Sequence, residues 1–227
     1  MKKHPGCDMQ RCLMCQLALK EWKPAIAAHK KNFVAKKNEV IICEGEPVTG
    51  IYFVYSGNVK VHKKWGDKEL IVRFADKGKI FGHRGLGTTS AVYPISATAL
   101  EETELCFIPA DFFVSTLKVN HELAFSLMMF YADELQESEK KMRNLALMPV
   151  KSRLAVALLH LKAQFGMDTT GCIDIDLSRQ DLAAFAGATY ETVFRTINEM
   201  VQENLVVLSG KRICISEETS LIALTRE

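Results

Sequence analysis

Hydrophobic and polar positions follow three different rhythms along this chain of 227 residues. Between about Val40 and Pro109 the apolar residues come in short runs rich in β-branched and aromatic side chains: Glu39–Cys43, Ile51–Tyr55, Val59–Lys63, Leu70–Phe74 and Ala97–Ile108. Turn signals punctuate them at Gly45-Glu46-Pro47, Ser56-Gly57, Trp65-Gly66-Asp67 and Asp76-Lys77-Gly78. Many short strands, roughly eight to twelve residues apart, predict a β-sandwich or a small barrel.

The second rhythm runs from about His121 to Leu147, where breakers are nearly absent. Met128, Tyr131, Leu135, Ser138, Met142 and Leu145 recur in steps of three and four, which is heptad spacing. Glu134, Glu137, Lys140 and Lys141 occupy the opposite face and narrow the apolar seam. That pattern favours a parallel homodimer over a helix packed on its own domain. Ser138 interrupts the seam, in a position to fix register or touch a ligand. Pro149 ends the helix and marks a hinge before Val150.

The third rhythm fills Leu177–Leu208. Ser178 caps a short helix with Asp181 in capping-box position, and Leu182, Ala183 and Phe185 form its apolar side. After Gly187-Ala188, Thr189 caps a second helix whose Val193, Ile197, Met200 and Val201 turn inward. Tyr190, Glu191, Phe194 and Arg195 are left pointing outward. Two helices joined by a tight turn containing glycine form a helix-turn-helix, which lays its second helix in the DNA major groove. Arg donates in pairs to guanine O6 and N7, Glu accepts from cytosine N4, and four residues of helix place Glu191 and Arg195 on one face. The competing reading of that pair is a solvated ion pair on a structural helix. Val206–Leu208, the basic tip Ser209-Gly210-Lys211-Arg212 and Ile213–Ile215 then read as a hairpin, which makes the module a winged helix. Lys211 and Arg212 would add sequence-blind phosphate contacts.

Composition adds constraints. A 48% hydrophobic content over this length can bury two domains, and a net charge of +2 does not announce a nucleic-acid partner. From Val150 onward eight Lys and Arg stand against ten Asp and Glu, so DNA affinity has to come from locally placed bases and dimerisation. No run of eighteen apolar residues predicts a membrane span, and the segment Met1–Cys12 lacks the apolar core of a signal peptide, which points to the cytoplasm. His29, His62, His121 and His160 are scattered without a nucleophile or carboxylate at catalytic spacing, and no phosphate-binding glycine loop occurs. The chain is therefore read as a regulator and not an enzyme. Disulfide exchange by the N-terminal thiols is the enzymatic rival, and it lacks a C-x-x-C on a βαβ unit. A non-DNA interaction module with a degenerate helix-turn-helix is the other.

The run S-R-Q-D-L-A-A-F-A-G-x-T-x-E-T-V-F-R from Ser178 to Arg195 resembles the C-terminal domain of the Crp/Fnr transcription regulators. Glu191, Thr192, Val193 and Arg195 fall on that family's recognition motif. The resemblance implies an α+β fold: a cysteine-bearing arm and helix at 1–30, a cyclic-nucleotide-binding-type β jelly roll at 31–118, a long dimerisation helix at 119–148 and a winged helix-turn-helix at 149–227. It also implies double-stranded DNA with TGA-like palindromic half-sites, contacted by Ser178, Thr189, Tyr190, Glu191, Thr192, Phe194, Arg195, Lys211 and Arg212, and RNA polymerase as a partner. A two-fold dimer would space its recognition helices about 34 Å apart.

Two sensing chemistries follow from the resemblance. In the nucleotide-binding members Gly-Glu meets the ribose and Arg-Ser the cyclic phosphate. Here Gly82 is followed by His83 and Arg84, and Ser96 is preceded by Ile95, so the phosphate loses its bidentate partner and cyclic AMP is disfavoured. Gly82, His83, Arg84, Ser96 and Ser138 remain as a pocket for another small effector. The seven cysteines are unevenly placed, which argues against a disulfide framework. Cys7, Cys12 and Cys15 form C-x4-C-x2-C, and Cys106 lies in a segment resembling the one that carries the fourth cluster ligand of oxygen-sensing Fnr proteins. Four such thiolates suit a 4Fe–4S centre responsive to oxygen or nitric oxide. Zinc on the same thiolates, or with His4, is the chemical rival, and haem remains open through the family. Alternatively the N-terminal thiols belong to an unstructured arm and Cys106 is a small buried residue. Cys43, Cys172 and Cys214 read as isolated structural residues.

Overall fold

The computed structural model describes residues 2–3, 12–87 and 91–226. The chain divides into two compact units, Met1–Lys63 with Val72–Gln136 and Lys64–Ile71 with Glu137–Glu227.

The first unit is built on strands β1 (Lys2–Lys3), β2 (Lys31–Ala35), β3 (Val40–Ile42), β4 (Gly50–Ser56), β5 (Val59–Trp65), β6 (Lys68–Ala75), β7 (Ile80–Phe81), β8 (Ser96–Ala99) and β9 (Thr103–Pro109). They form a sandwich of two sheets, ordered β1-β2-β9-β4-β7 and β3-β8-β5-β6. Period-two alternation sorts side chains between two cores. Tyr52 and Val54 of β4 and Leu105 of β9 join Val59, Val61, Ala97 and Ala99 between the sheets. Their neighbours Ile51, Phe53, Cys106 and Ile108 point to the other side. There they are covered by helices α1 (Leu13–Leu17), α2 (Lys23–His29), α3 (Ala110–Val119) and the start of α4 (His121–Leu147), through Met14, Ile26, Phe113, Leu123 and Leu127. Both faces of β4 are thus buried, which is why its sequence is continuously apolar. The N-terminal helices are pinned by Trp22 Nε1, which donates to Thr116 Oγ1 at 3.0 Å, and by Leu19 N, which donates to Asn120 Oδ1 at 2.7 Å.

The heptad stripe of α4 proves to be two stripes. Met128, Leu135 and Met142 are exposed, the last two at 61% each. Tyr131, Ser138 and Leu145, the alternate members, are half-buried. The charged face is also divided. Glu134 turns onto the β-roll, and Lys141 donates to the Ile71 carbonyl at 2.5 Å while its Nζ lies 4.4 Å from the centre of the Phe185 ring. Burial pushes the Lys141 ammonium down to about 8.

The second unit contains α5 (Val150–Phe165), α6 (Arg179–Ala186), α7 (Tyr190–Gln202), β10 (Val206–Ser209), β11 (Arg212–Ile215) and α8 (Glu218–Ala223). Leu154, Leu158, Leu161, Leu182, Val193, Ile197, Met200, Val206 and Leu221 are among its buried side chains. Strands β10 and β11 pair antiparallel from Val206↔Ile215 to Ser209↔Arg212. The reading of Cys172 and Cys214 as isolated residues is corrected here: they are joined by a disulfide across a single β-bridge. They lie 42 positions apart in the sequence, so no local pattern links them. Among the described residues no helix is long and apolar enough to cross a membrane.

Candidate nucleic-acid interface

Helix α6 begins where Ser178 Oγ accepts the Asp181 N–H at 3.0 Å. It stops at Gly187, whose φ of 65° and ψ of 44° are left-handed, and Ala188 N then donates to Ala183 O at 3.0 Å. Arg153 Nη1 secures this turn by donating to the Gly187 carbonyl at 3.0 Å. Helix α7 starts at Thr189, whose Oγ1 accepts from Thr192 N at 3.3 Å and lies 2.9 Å from Thr192 Oγ1. Val193, Thr196, Ile197 and Met200 bury one face. The opposite face presents Tyr190, Glu191, Phe194 and Arg195. Tyr190 and Phe194 stack, with ring centres 6.1 Å apart.

The Arg195 side chain is 74% exposed, and the ion partner the geometry gives it is Glu199 at 3.9 Å. That separation, at an exposed position, holds the guanidinium only weakly, leaving its donors open to a planar acceptor. The two wing residues behave differently. Lys211 is exposed at the hairpin tip. Arg212 lies among acids: its Nη1 pairs with Asp168 and lies 3.8 Å from Asp174, and its Nε is 3.3 Å from Asp176. Asp168 also accepts from Thr170 N and Cys172 N, so Arg212 ties the wing to the turn after α5. Arg179, which sequence reasoning passed over, donates from Nη1 to the Lys211 carbonyl at 3.0 Å and shapes the tip.

Gly82 adopts a left-handed φ of 83° and opens the single turn that carries His83 and Arg84. Both side chains point to Glu134 of α4: His83 Nε2 at 2.8 Å and Arg84 Nε at 3.0 Å from Oε2, while Arg73 Nε lies 2.8 Å from Oε1. Tyr131 adds a hydrogen bond to the His83 carbonyl at 2.7 Å. The Glu134 side chain is 10% exposed and that of His83 only 1%. Burial pushes the Glu134 carboxyl up, but the His83 hydrogen bond and the charges of Arg73 and Arg84 bring it down to about 2. Burial, reinforced by the two guanidinium charges, lowers the His83 imidazole against the pull of Glu134, so it stays neutral. A carboxylate of the chain itself therefore meets the donors that would greet an anionic ligand. Ser96 is engaged elsewhere, accepting from Glu44 N at 3.0 Å, and Ser138 is half-buried one turn beyond Glu134. Arg73 and Glu134 were invisible to sequence reasoning because their partners lie tens of residues away.

The thiols form a third group. Cys12, Cys15 and Cys106 are all buried in the cluster of Met14, Phe53, Ile108, Phe113 and Leu123. Cys12 caps α1, its Sγ accepting from Cys15 N at 3.4 Å, and Cys106 pairs with Phe53 across β9 and β4. Cys7 and His4 lie outside the described residues. Among the described residues no three Cys, His, Asp or Glu side chains are grouped so as to hold a metal ion.

Comparison with known proteins fits this geometry. The cyclic nucleotide-binding domain family matches residues 33–120, and the Crp-like helix-turn-helix domain family matches residues 152–224. The anaerobic regulatory protein of Bacillus subtilis is 30% identical over 183 residues, covering 78% of this chain and 77% of its own. The transcriptional activator protein Anr of Pseudomonas aeruginosa is 26% identical over 216 residues, 94% of this chain and 88% of its own. The structure of FixK2 from Bradyrhizobium japonicum superposes with a TM-score of 0.77 at 24% identity, covering 87% of this chain and 98% of that one. With a β-roll, a long helix and a winged helix-turn-helix in this order, the chain belongs to the Crp/Fnr family of DNA-binding transcription regulators, which are not enzymes.

Proposed function

We propose that the protein is a cytoplasmic homodimer that binds a palindrome with TGA-like half-sites, contacts RNA polymerase, and adjusts this binding to a redox, oxygen or nitric oxide signal. The observation that carries the DNA half is the α7 surface, where Glu191 and Arg195 stand exposed on a helix fixed by two caps and a buried opposite face. Arg195 donates in the plane of guanine, Glu191 accepts from cytosine, and Thr189, Thr192, Ser178 and Lys211 lie toward the flanking backbone. Each good base contact supplies about 1–3 kcal/mol of discrimination. In a gel shift on a TGA palindrome, Arg195→Ala is expected to abolish the shift at concentrations where the unaltered protein saturates it. A retained shift rejects the role.

The sensing half is supported by the burial of Cys12, Cys15 and Cys106 in one cluster that also contains Leu123 and Leu127, the buried residues at the start of α4. Four thiolates, these three with Cys7, suit an iron–sulfur cluster, which when bound would supply a centre that oxygen or nitric oxide destroys. The chain's own contribution is a buried apolar surrounding, the Cys15 N–H donated to Cys12 Sγ, and packing of the thiols in the cluster that includes the start of α4. Coupling between sites of this kind is typically about 1–3 kcal/mol. That an anaerobic regulatory protein is among the relatives agrees with this reading. Anaerobic purification with iron and sulfide analysis tests it: both elements are expected, and Cys106→Ser is expected to lose them. Zinc, or no metal, in the purified protein overturns the cluster.

A further inference from the structure

The DNA-binding unit holds a pair of cysteines that the family reading does not use. Cys172 follows the turn after α5, and Cys214 lies in the wing strand β11. Their sulfurs are bonded and their Cα atoms are 3.8 Å apart across an isolated β-bridge. The covalent loop they close contains α6, α7 and β10, the whole DNA-reading unit. The same seam carries a backbone bond from Ile173 N to Ile213 O at 3.0 Å, the burial of both residues, and Arg212, which pairs with Asp168 and lies near Asp174 and Asp176. Cys172 is 1% exposed, whereas Cys214 is half-buried.

We propose that Cys172 and Cys214 are a reversible dithiol–disulfide pair that locks the wing onto the recognition unit under oxidising conditions. In a compartment that keeps thiols reduced, the pair rests as two thiols. Oxidation by a small disulfide such as oxidised glutathione balances in two exchanges. The Cys214 thiolate attacks one sulfur of the oxidant, forms a mixed disulfide and expels a glutathione thiolate. The Cys172 thiolate then attacks the Cys214 sulfur and expels the second. Two protons pass from the cysteines to the two glutathiones, which leave as thiols. The closed loop removes conformational freedom from the chain carrying Glu191 and Arg195, so the oxidised form meets DNA with its wing already placed. This site is independent of the N-terminal thiols. Only its effect on DNA rests on the function proposed above.

The test uses the full-length protein in glutathione buffers of stepped oxidised-to-reduced ratio, quenched by alkylation. Peptide mass spectrometry, hydrogen exchange and binding to a fluorescent TGA palindrome are read on the same samples. A peptide pair linked through Cys172 and Cys214 is expected in oxidising buffer and not in reducing buffer. Amides of residues 206–215 are expected to exchange more slowly in the linked form, and the duplex to bind at least about fivefold more tightly, the lower end of ordinary coupling. Cys172→Ser and Cys214→Ser are each expected to hold the reduced values in every buffer. If one of them does not fold, the other and the wild-type titration still decide. Absence of the linked peptide at every ratio, or a link that opens only after denaturation, overturns the reversible pair. Equal affinity of both forms for a duplex that does bind overturns the lock on DNA recognition. Linkage and slowed exchange with no binding to any duplex support the pair and overturn the DNA-binding reading instead.

Discussion

Glu134 is one carboxylate answering a buried imidazole and two guanidinium groups, and its removal has a calculable sign. Held at about 2 in the folded chain against 4.5 as the ordinary value, it contributes stability that is present above 4.5 and lost as the pH falls toward 2. His83 acts in the same direction, since burial lowers its pKa from 6.5 and acid favours the unfolded, protonated ring. Glu134→Gln leaves Arg73, whose side chain is 18% exposed, without its counter-charge. Breaking such a pair is expected to cost about 3–5 kcal/mol at neutral pH. The gap from wild type should narrow as the pH falls from about 4.5 toward 2, because unfolding of the wild type then takes up a proton at Glu134 and the ionised folded form loses its advantage. Urea unfolding across that range checks it. A variant as stable as wild type at neutral pH refutes the ionic role.

At the scale of elements, Gly187 decides how α6 gives way to α7. Its left-handed backbone, and a Cβ that would lie 2.2 Å from the Leu145 Cδ2, make Gly187→Ala doubly unfavourable. The conformation alone costs about 1–2 kcal/mol. The slowest amides of α6 and α7 in native-state hydrogen exchange should lose at least that much protection, while those of β4 and β9 stay unchanged. This turn was legible in the sequence, as were the Ser178 and Thr189 caps and the extent of α4, because each is fixed within about four residues. The faces of α4 were not. Whether Glu134 meets solvent or Arg73, and whether Lys141 meets solvent or the Phe185 ring, depends on segments far away in the chain. The same holds for Cys172 with Cys214, and for Arg212, whose basic tip reads as a phosphate contact until Asp168, Asp174 and Asp176 gather round it. The three N-terminal and strand thiols were legible as a set, yet their shared burial rests on helices α1 and α2, which no periodicity announced.

For the whole molecule, Met128, Leu135 and Met142 form an exposed apolar line along α4, and the proposed dimer would cover it. Leu135→Glu with Met142→Glu places charge on that line without touching the buried alternates. Analytical ultracentrifugation is expected to give a monomer, circular dichroism an unchanged helix content, and operator binding a loss of at least about a hundredfold, since one half-site contact no longer brings the second. A double variant that still sediments as a dimer places the interface elsewhere. Arg212 adds a consequence for operator search. A guanidinium answered by three aspartates has little positive field left for the sugar-phosphate rail, and the unit around it is acidic on balance. Such a molecule is expected to linger only briefly on random genomic sequence and to give up few counterions there, so its traffic to a promoter should be governed by three-dimensional diffusion more than by gliding along the duplex.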